Sequence, residues 1–440
     1  MVDEKTSLIL QAKTQYPSID KRHLWNVKFS KKHPLVTLYG VYDHLDALWH
    51  ESKGDIAVFD GDSIITKGEL LDNSKTIAKA FKELGVKKGN VIFISLPNSH
   101  QALECFLAAN ILGASVAFVD QKDSFNLMED LREYRPTLYI NYKKDIQSNK
   151  IIKDYSLLNA VITLNDKNDE LEDNDNEYIN YSYVDYKDLK EIATRSHKLP
   201  MSVGLGSDCA LIDPVKGYCY DNKKVKYTCK YISNNLELDG NNRCLSVLPT
   251  LTSLGFMTSV LTPLLNDKEV VLTTGITDQD LLTKPDLLIT DNESMGKLYD
   301  GTNDTKDLSF VKKVVVRDSK EDNISYLNIP LAKTDVISMF GNEELLGVKI
   351  QGENKKKTRL AYGPSFVIIN EDTNEEVKYD EVGLLCVRGK HVVEDKSRMV
   401  MFNDKKYYKT DIRGSLDREG NFKIEKETEK TKVIKRNIEG

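Results

Sequence analysis

The sequence lacks most of the signals that would fix a function at once. None of its six cysteines, Cys105, Cys209, Cys219, Cys229, Cys244 and Cys386, belongs to a CxxC pair. Cys209, Cys219 and Cys229 are spaced by ten, but zinc sites bring ligands in close pairs and no histidine lies among these three. Unpaired reduced thiols are therefore expected rather than a metal centre. The seven histidines are equally dispersed and form neither HxxxH nor HExxH, which removes the usual support for a metal-based catalyst. Basic charge is not in excess: 62 Lys and Arg against 68 Asp and Glu leave a net −6. That balance gives no electrostatic reason to expect nucleic acid or an anionic membrane as partner. No apolar run approaches the length of a membrane span, and the start, "MVDEKTSLIL", carries acids where a signal peptide carries bases. A cytoplasmic protein is the expectation, and internal repeats are missing as well.

What is present is an ordinary globular composition, with 40% hydrophobic and 30% charged residues over 440 positions. That length exceeds one simple core, so two or three packed units are expected. "ELLDNSKTIAKAFKEL" (69–84) sets Leu70, Ile77, Phe81 and Leu84 on one helical stripe. "GVKKGN" turns the chain into Val91–Ser95, an all-apolar run of the kind buried in parallel sheets. Ser99 can cap a helix carrying Ala102, Leu103, Phe106, Leu107, Ile111 and Leu112, which Gly113 ends before a strand at Val116–Val119. A helix near 125–134 and a strand near 138–141 continue the rhythm, and apolar runs recur at 245–248, 269–273, 286–290 and 313–316. Alternation of this kind argues for helix-covered, mostly parallel sheets.

An acidic, Asn-rich tract at 165–177 reads as an exposed loop or linker. From about 360 the texture changes to short β-prone runs between Asp, Asn and Gly turns, which suggests a small antiparallel unit. The division expected from these features is a first α/β lobe over 1–205 and a second over 206–340. A β-barrel-like subdomain over 341–432 and a hinge remnant over 433–440 follow.

Several segments carry a collinear resemblance. They are "SIITKGEL" (63–70), "LGVKKGNVIFISLPNSHQALECFLAANILGASVAFVD" (84–120), "LSVLPTLTSLGFMTSVLTPLLNDKEVVL" (245–272), "DLSFVKKVVV" (307–316), "FGNEE" (340–344), "GLLCVRG" (383–389) and "YYKTDIRGSLDREGNFKI" (407–424). In order and spacing they resemble the large N-terminal domain of the adenylate-forming (ANL) superfamily, which includes acyl-CoA synthetases, peptide-synthetase adenylation domains and luciferases. The resemblance runs from about residue 40 to the end. It implies the acyl-CoA synthetase-like fold, without the small C-terminal domain that carries a catalytic lysine. It also implies a chemistry in which ATP, Mg²⁺ and a carboxylic acid give an acyl-adenylate and pyrophosphate, usually before transfer to a thiol.

The positions that this chemistry would use are largely altered. The family's Gly/Ser/Thr phosphate loop should follow the strand at 209–212, because backbone N–H groups and hydroxyls hold the β,γ-phosphates. Here the chain passes from Ile212-Asp213 directly to Pro214-Val215-Lys216-Gly217, leaving Lys216 and Gly217 as the remaining candidates. Phe340 stands where the resemblance places the adenine-stacking aromatic, with Gly341 beside it. Glu344, or Glu343 with a shift in register, stands where a glutamate would hold Mg²⁺. Thr252 replaces an expected histidine, and Val316-Arg317-Asp318 replaces paired glycines beside the acyl pocket. The ribose-binding "TGD" reads Thr410-Asp411-Ile412, and the arginine expected next is missing from "EKETEKTK".

A retained scaffold with dismantled chemistry is the first reading: a degenerate ligase homologue, a pseudoenzyme that holds a protein partner or an acyl or carrier-protein group. A divergent or truncated acyl-CoA synthetase, using ATP or AMP and Mg²⁺, is the second. The third is a small-molecule or nucleotide binder in the cleft between lobes.

Overall fold

The computed structural model describes residues 38–425, apart from 97, 120–123, 144–145, 154, 165–181, 197–201, 237, 239, 241, 292–293, 295–307, 318–334, 342–345, 353–354, 361–364, 394 and 419. Within it the chain divides into two compact units, one spanning 30–336 and the other built chiefly from 337–440.

The larger unit opens with helix α1 (Val41–Leu48), hairpin β1 (Ile56–Asp60) and β2 (Ser63–Thr66), and helix α2 (Lys67–Glu83). The "SIITKGEL" signature is a reciprocal cap. The Thr66 Oγ1 accepts from the Glu69 N–H at 3.2 Å, and Glu69 Oε2 accepts from the Thr66 N–H at 2.9 Å. Two of the donors that a helix start leaves open are thereby satisfied. Leu70, Ile77 and Phe81 then face the core along the expected stripe.

Strand β3 (Val91–Ser95) leads through Ser99 to helix α3 (His100–Leu112), strand β4 (Ser115–Phe118), helix α4 (Ser124–Tyr134), strand β5 (Leu138–Tyr142), helix α5 (Ile146–Lys153), and strands β6 (Ala160–Leu164) and β7 (Ser182–Asp185). Ser99 caps α3 by accepting from the Ala102 N–H. Gly113 ends that helix at φ 68°, a left-handed conformation that suits glycine. Residues 102–112 of α3 are all buried, so the helix is enclosed on every side rather than amphipathic. After helix α6 (Leu189–Thr194), a hairpin of β8 (Cys209–Asp213) and β9 (Tyr218–Asp221) is followed by helix α7 (Asn222–Leu236).

These strands form a seven-stranded sheet in the order β7-β6-β5-β3-β4-β8-β9, parallel except for the β8–β9 edge. Phe93, Ala117, Leu131, Tyr139 and Val161 centre one of its cores. Burial of each large apolar side chain of this kind contributes about 1.5–3 kcal/mol.

Strand β10 (Arg243–Ser246), a helical stretch over 253–265, β11 (Glu269–Leu272), the short helix α8 (Asp278–Leu282), β12 (Leu287–Asp291) and β13 (Lys313–Arg317) build a second sheet. Its order is β13-β12-β10-β11-β1-β2, parallel apart from the β1–β2 hairpin. The strands therefore do not follow a division at 205/206 in simple sequence. β1 and β2 join the later sheet, while β8 and β9 complete the earlier one.

The other unit is antiparallel, as the change in texture suggests. β14 (Asp335–Gly341), β15 (Leu346–Gly352) and β16 (Lys355–Leu360) pair as a meander. A curled sheet takes the order β17 (Ser365–Ile369), β18 (Gly383–Arg388), β20 (Lys405–Leu416) and β19 (Met399–Phe402), with β21 (Phe422–Ile424) on β20. Ile368, Leu385, Val387, Tyr408 and Phe422 close its core. No described helix is long and apolar enough to cross a membrane.

The cysteine expectation is corrected here. Cys209 and Cys219 are joined as a disulfide, with Cα atoms 5.9 Å apart. The physical reason is the hairpin. Cys209 lies opposite Asp221, so Cys219 is its diagonal neighbour on the same face, a relation invisible in a spacing of ten. Cys105, Cys229, Cys244 and Cys386 are free and buried.

Candidate functional site

In open α/β sheets, ligands sit at the carboxyl ends of the strands, where successive connections leave in opposite directions. The first sheet reverses between β3 and β5, and the second between β10 and β12. Asn98, just past β3, ties these ends together. Its Nδ2 donates to the Leu248 carbonyl at 3.1 Å and the Thr273 carbonyl at 2.8 Å, while its Oδ1 accepts from the Thr250 N–H at 2.9 Å. One amide thus satisfies backbone groups beyond β10 and β11. At the same edge His100 Nδ1 lies 2.6 Å from Asp60 Oδ2, which also accepts from the His100 N–H at 3.1 Å. Thr250 is buried and its hydroxyl has no hydrogen-bond partner.

Because β8 runs parallel to β4, the Asp213–Gly217 turn also leaves from a carboxyl end of the first sheet. It is the position at which the sequence suggests a phosphate loop. Two of the backbone donors there are already engaged. The Lys216 N–H donates to Asp213 Oδ1 at 3.1 Å, and the Gly217 N–H donates to the Pro214 carbonyl at 3.3 Å. Pro214 has no N–H to offer, and the Asp213 carboxylate is itself buried. Gly217 takes φ 66°, as a reversal this tight requires, and Val215 is 91% exposed at the tip. The disulfide closes the base of the hairpin.

The other sequence candidates fall as follows. Phe340 and Gly341 end β14, paired with Gly347 and Leu346, and only their backbone is described. Glu343 and Glu344 lie outside the described residues. Thr410 and Asp411 are neighbours on β20 but face opposite ways. Thr410 is buried, its hydroxyl donating to the Leu385 carbonyl at 2.7 Å and accepting from the Ile412 N–H at 3.1 Å. Asp411 points outward and pairs with Arg398 at 3.1 Å. Thr252 caps the stretch that follows it, its Oγ1 accepting from the Gly255 N–H at 3.0 Å. Arg317 ends β13 in register with Asp291. Among the described residues no cluster of three or more metal-ligating side chains occurs.

Two features escaped the sequence reading. The Asp60–His100 pair joins the end of β1 to the start of α3, 40 positions apart, and no periodicity reveals it. Lys226, on the helix that follows the hairpin, is only 1% exposed, and its Nζ donates to the Tyr39 carbonyl at 2.6 Å. Burial pulls its ammonium down to about 8, opposed by the charges of Asp43 and Asp221. A lysine in a polar, lysine-rich helix gives no sign that it turns inward.

Residues 45–186 match the family model described as AMP-binding enzyme. Solved structures agree over nearly the whole chain. An anthranilate-CoA ligase, AuaEII, bound to anthranoyl-AMP, superposes with a TM-score of 0.75 at 16% identity, covering 89% of this chain and 78% of that one. A long-chain-fatty-acid-CoA ligase from Archaeoglobus fulgidus gives 0.74 at 14% identity, covering 93% and 89%. A luciferase-like enzyme from the nonluminescent mealworm Zophobas morio gives 0.73 at 16%, covering 91% and 98%. No curated protein matches the sequence. Residues 45–186 thus match the AMP-binding enzyme family model, and the chain as a whole has the fold of adenylate-forming ligases.

Proposed function

We propose that this chain is a non-catalytic member of the superfamily, a ligase-shaped scaffold that works by holding a protein partner or an acyl or carrier-protein group. The observation that carries the reading is the Asp213–Gly217 turn. In it two backbone donors are spent internally, a proline removes a third, and a buried carboxylate stands in their midst. A triphosphate approaching this turn would meet Asp213 and find neither of those N–H groups free. Charge-assisted hydrogen bonds contribute roughly 1.5–3 kcal/mol each, so losing several removes most of the affinity for the phosphates. The ATP triphosphate does not fit the residues of this turn. The positions aligned with adenine, Mg²⁺ and ribose binding, Phe340 with Gly341, Glu343 or Glu344, and Thr410 with Asp411, are on this reading remnants. The same holds for Lys216 and Gly217. The division into lobes at 1–205, 206–340 and 341–432 belongs to this proposal as the ancestral plan.

The test is pyrophosphate release from ATP and Mg²⁺ with a panel of carboxylic acids, run beside thermal-shift measurements with ATP/Mg²⁺ and AMP. The proposal expects background release and no rise in melting temperature, because a tight ligand stabilises by mass action. Acid-dependent release that disappears in Phe340→Ala would overturn it in favour of a divergent ligase.

A further inference from the structure

We propose that Cys209 and Cys219 form a reversible thiol–disulfide site across the β8–β9 hairpin, oxidised by a low-molecular-weight disulfide and reduced by the corresponding thiol. The inference does not depend on whether the chain is a catalyst. It rests first on geometry: the antiparallel pairing of β8 and β9 sets the two cysteines as diagonal neighbours on one face, with Cα atoms 5.9 Å apart, inside the range that a disulfide spans without backbone movement.

It rests second on access. Cys219 is exposed and Cys209 half-buried at the edge of the seven-stranded sheet, so a small disulfide can reach the pair. The four remaining cysteines are each 1% exposed or less. Burial pushes the Cys229 and Cys386 thiols up to about 12 and raises Cys105 and Cys244 as well, which suppresses the thiolate that attacks disulfides. Selectivity for one pair out of six cysteines follows from the fold.

The chemistry balances without a further reactant. One thiolate attacks a sulfur of the small disulfide, forming a mixed disulfide and releasing one thiol. The second cysteine's thiolate then attacks the protein-side sulfur and releases the second thiol. The protein loses two electrons and two protons, and two molecules of thiol carry them away. Excess thiol drives the reverse. Closed, the bridge tethers β9 and the start of α7 to β8. Open, the hairpin is held by the β8–β9 ladder and the two turn hydrogen bonds.

The full-length protein, equilibrated with oxidised or reduced glutathione, is alkylated under native conditions with iodoacetamide and mapped by mass spectrometry. No label is expected after oxidation, and two labels, on Cys209 and Cys219, after reduction. The other four cysteines should label only in denaturant. A second readout is tryptic cleavage after Lys216, scored after reduction of the quenched sample. Reduced protein should be cut roughly tenfold faster than oxidised protein, since a protease needs the already exposed turn to unfold locally and the bridge restrains that opening. A Cys209→Ser/Cys219→Ser variant should be cut at the fast rate under both conditions. Labelling of Cys209 and Cys219 after oxidation, comparable native labelling of the buried four, or equal cleavage of oxidised and reduced wild type would each overturn the proposal.

Discussion

Lys226 makes a pH dependence that the structure allows to be worked through. Its side chain is 1% exposed, and its ammonium, ordinarily at 10.5, is pulled down to about 8 chiefly by burial. At pH 7 both folded and unfolded chains hold the proton, so folding bears the whole penalty, about 3 kcal/mol by linkage. As pH rises through 8 the folded state releases the proton while the unfolded state keeps it until 10.5, and the stability therefore increases. The gain attributable to this lysine is about 1.4 kcal/mol at pH 9 and about 2.5 kcal/mol at pH 10. Burial also raises the Tyr155 and Tyr407 hydroxyls above their ordinary value of 10.0, which adds its own pH dependence at the alkaline end, so the quantity to measure is a difference. Urea unfolding of wild type and Lys226→Met at pH 7, 8, 9 and 10 provides it. Methionine keeps the stem, loses the hydrogen bond to the Tyr39 carbonyl and removes the titration. The wild-type stability minus that of the variant should climb with pH along the curve above. A difference that stays constant from pH 7 to 10 would show that Lys226 is not a buried cation and would refute the reasoning.

Other substitutions separate the scaffold's constraints. A Cβ at Gly255 would lie 1.9 Å from the Pro249 carbonyl oxygen, a backbone atom, so Gly255→Ala should cost about 3 kcal/mol or more in urea unfolding. Asn98→Ala strands two carbonyls and one N–H between the two sheets, and a loss of about 2–4 kcal/mol is expected by the same measurement. Thr410→Ala should cost about 1–3 kcal/mol because its hydroxyl is buried and doubly bonded, whereas Asp411→Ala, breaking an exposed pair, should cost less than about 1 kcal/mol. Equal losses at 410 and 411 would contradict the outward orientation of Asp411.

Much of the fold is legible in the chain because its signals are local. The Thr66–Glu69 cap, the Ser99 cap, the left-handed Gly113 and the apolar run of Val91–Ser95 lie within a few residues of what they control. Short-range hydrogen bonding and apolar periodicity suffice to place such elements. The order of "LPNS", "DLSF" and "GLLCVRG" adds the resemblance to adenylate-forming ligases, which rests on collinear segments rather than on any single residue.

The candidate site is less legible, for a different physical reason. The sequence shows no glycine- and hydroxyl-rich run after Ile212, but not what the turn found there does with its donors. Only the tertiary structure pairs Lys216 with Asp213 and Gly217 with Pro214, and sets Asp411 outward while Thr410 turns in. Tertiary packing brings Asp60 to His100, lets Asn98 bind strand ends 150 and 175 residues away, and ties the buried Lys226 to the Tyr39 carbonyl. It also joins Cys209 to Cys219 across one face of a hairpin. Sequence by itself determined the elements, their order and the absence of a glycine- and hydroxyl-rich run after Ile212, because those depend on neighbours along the chain. The tertiary structure decided which polar groups are spent, which charge is buried and which thiols meet, because those depend on strands brought side by side.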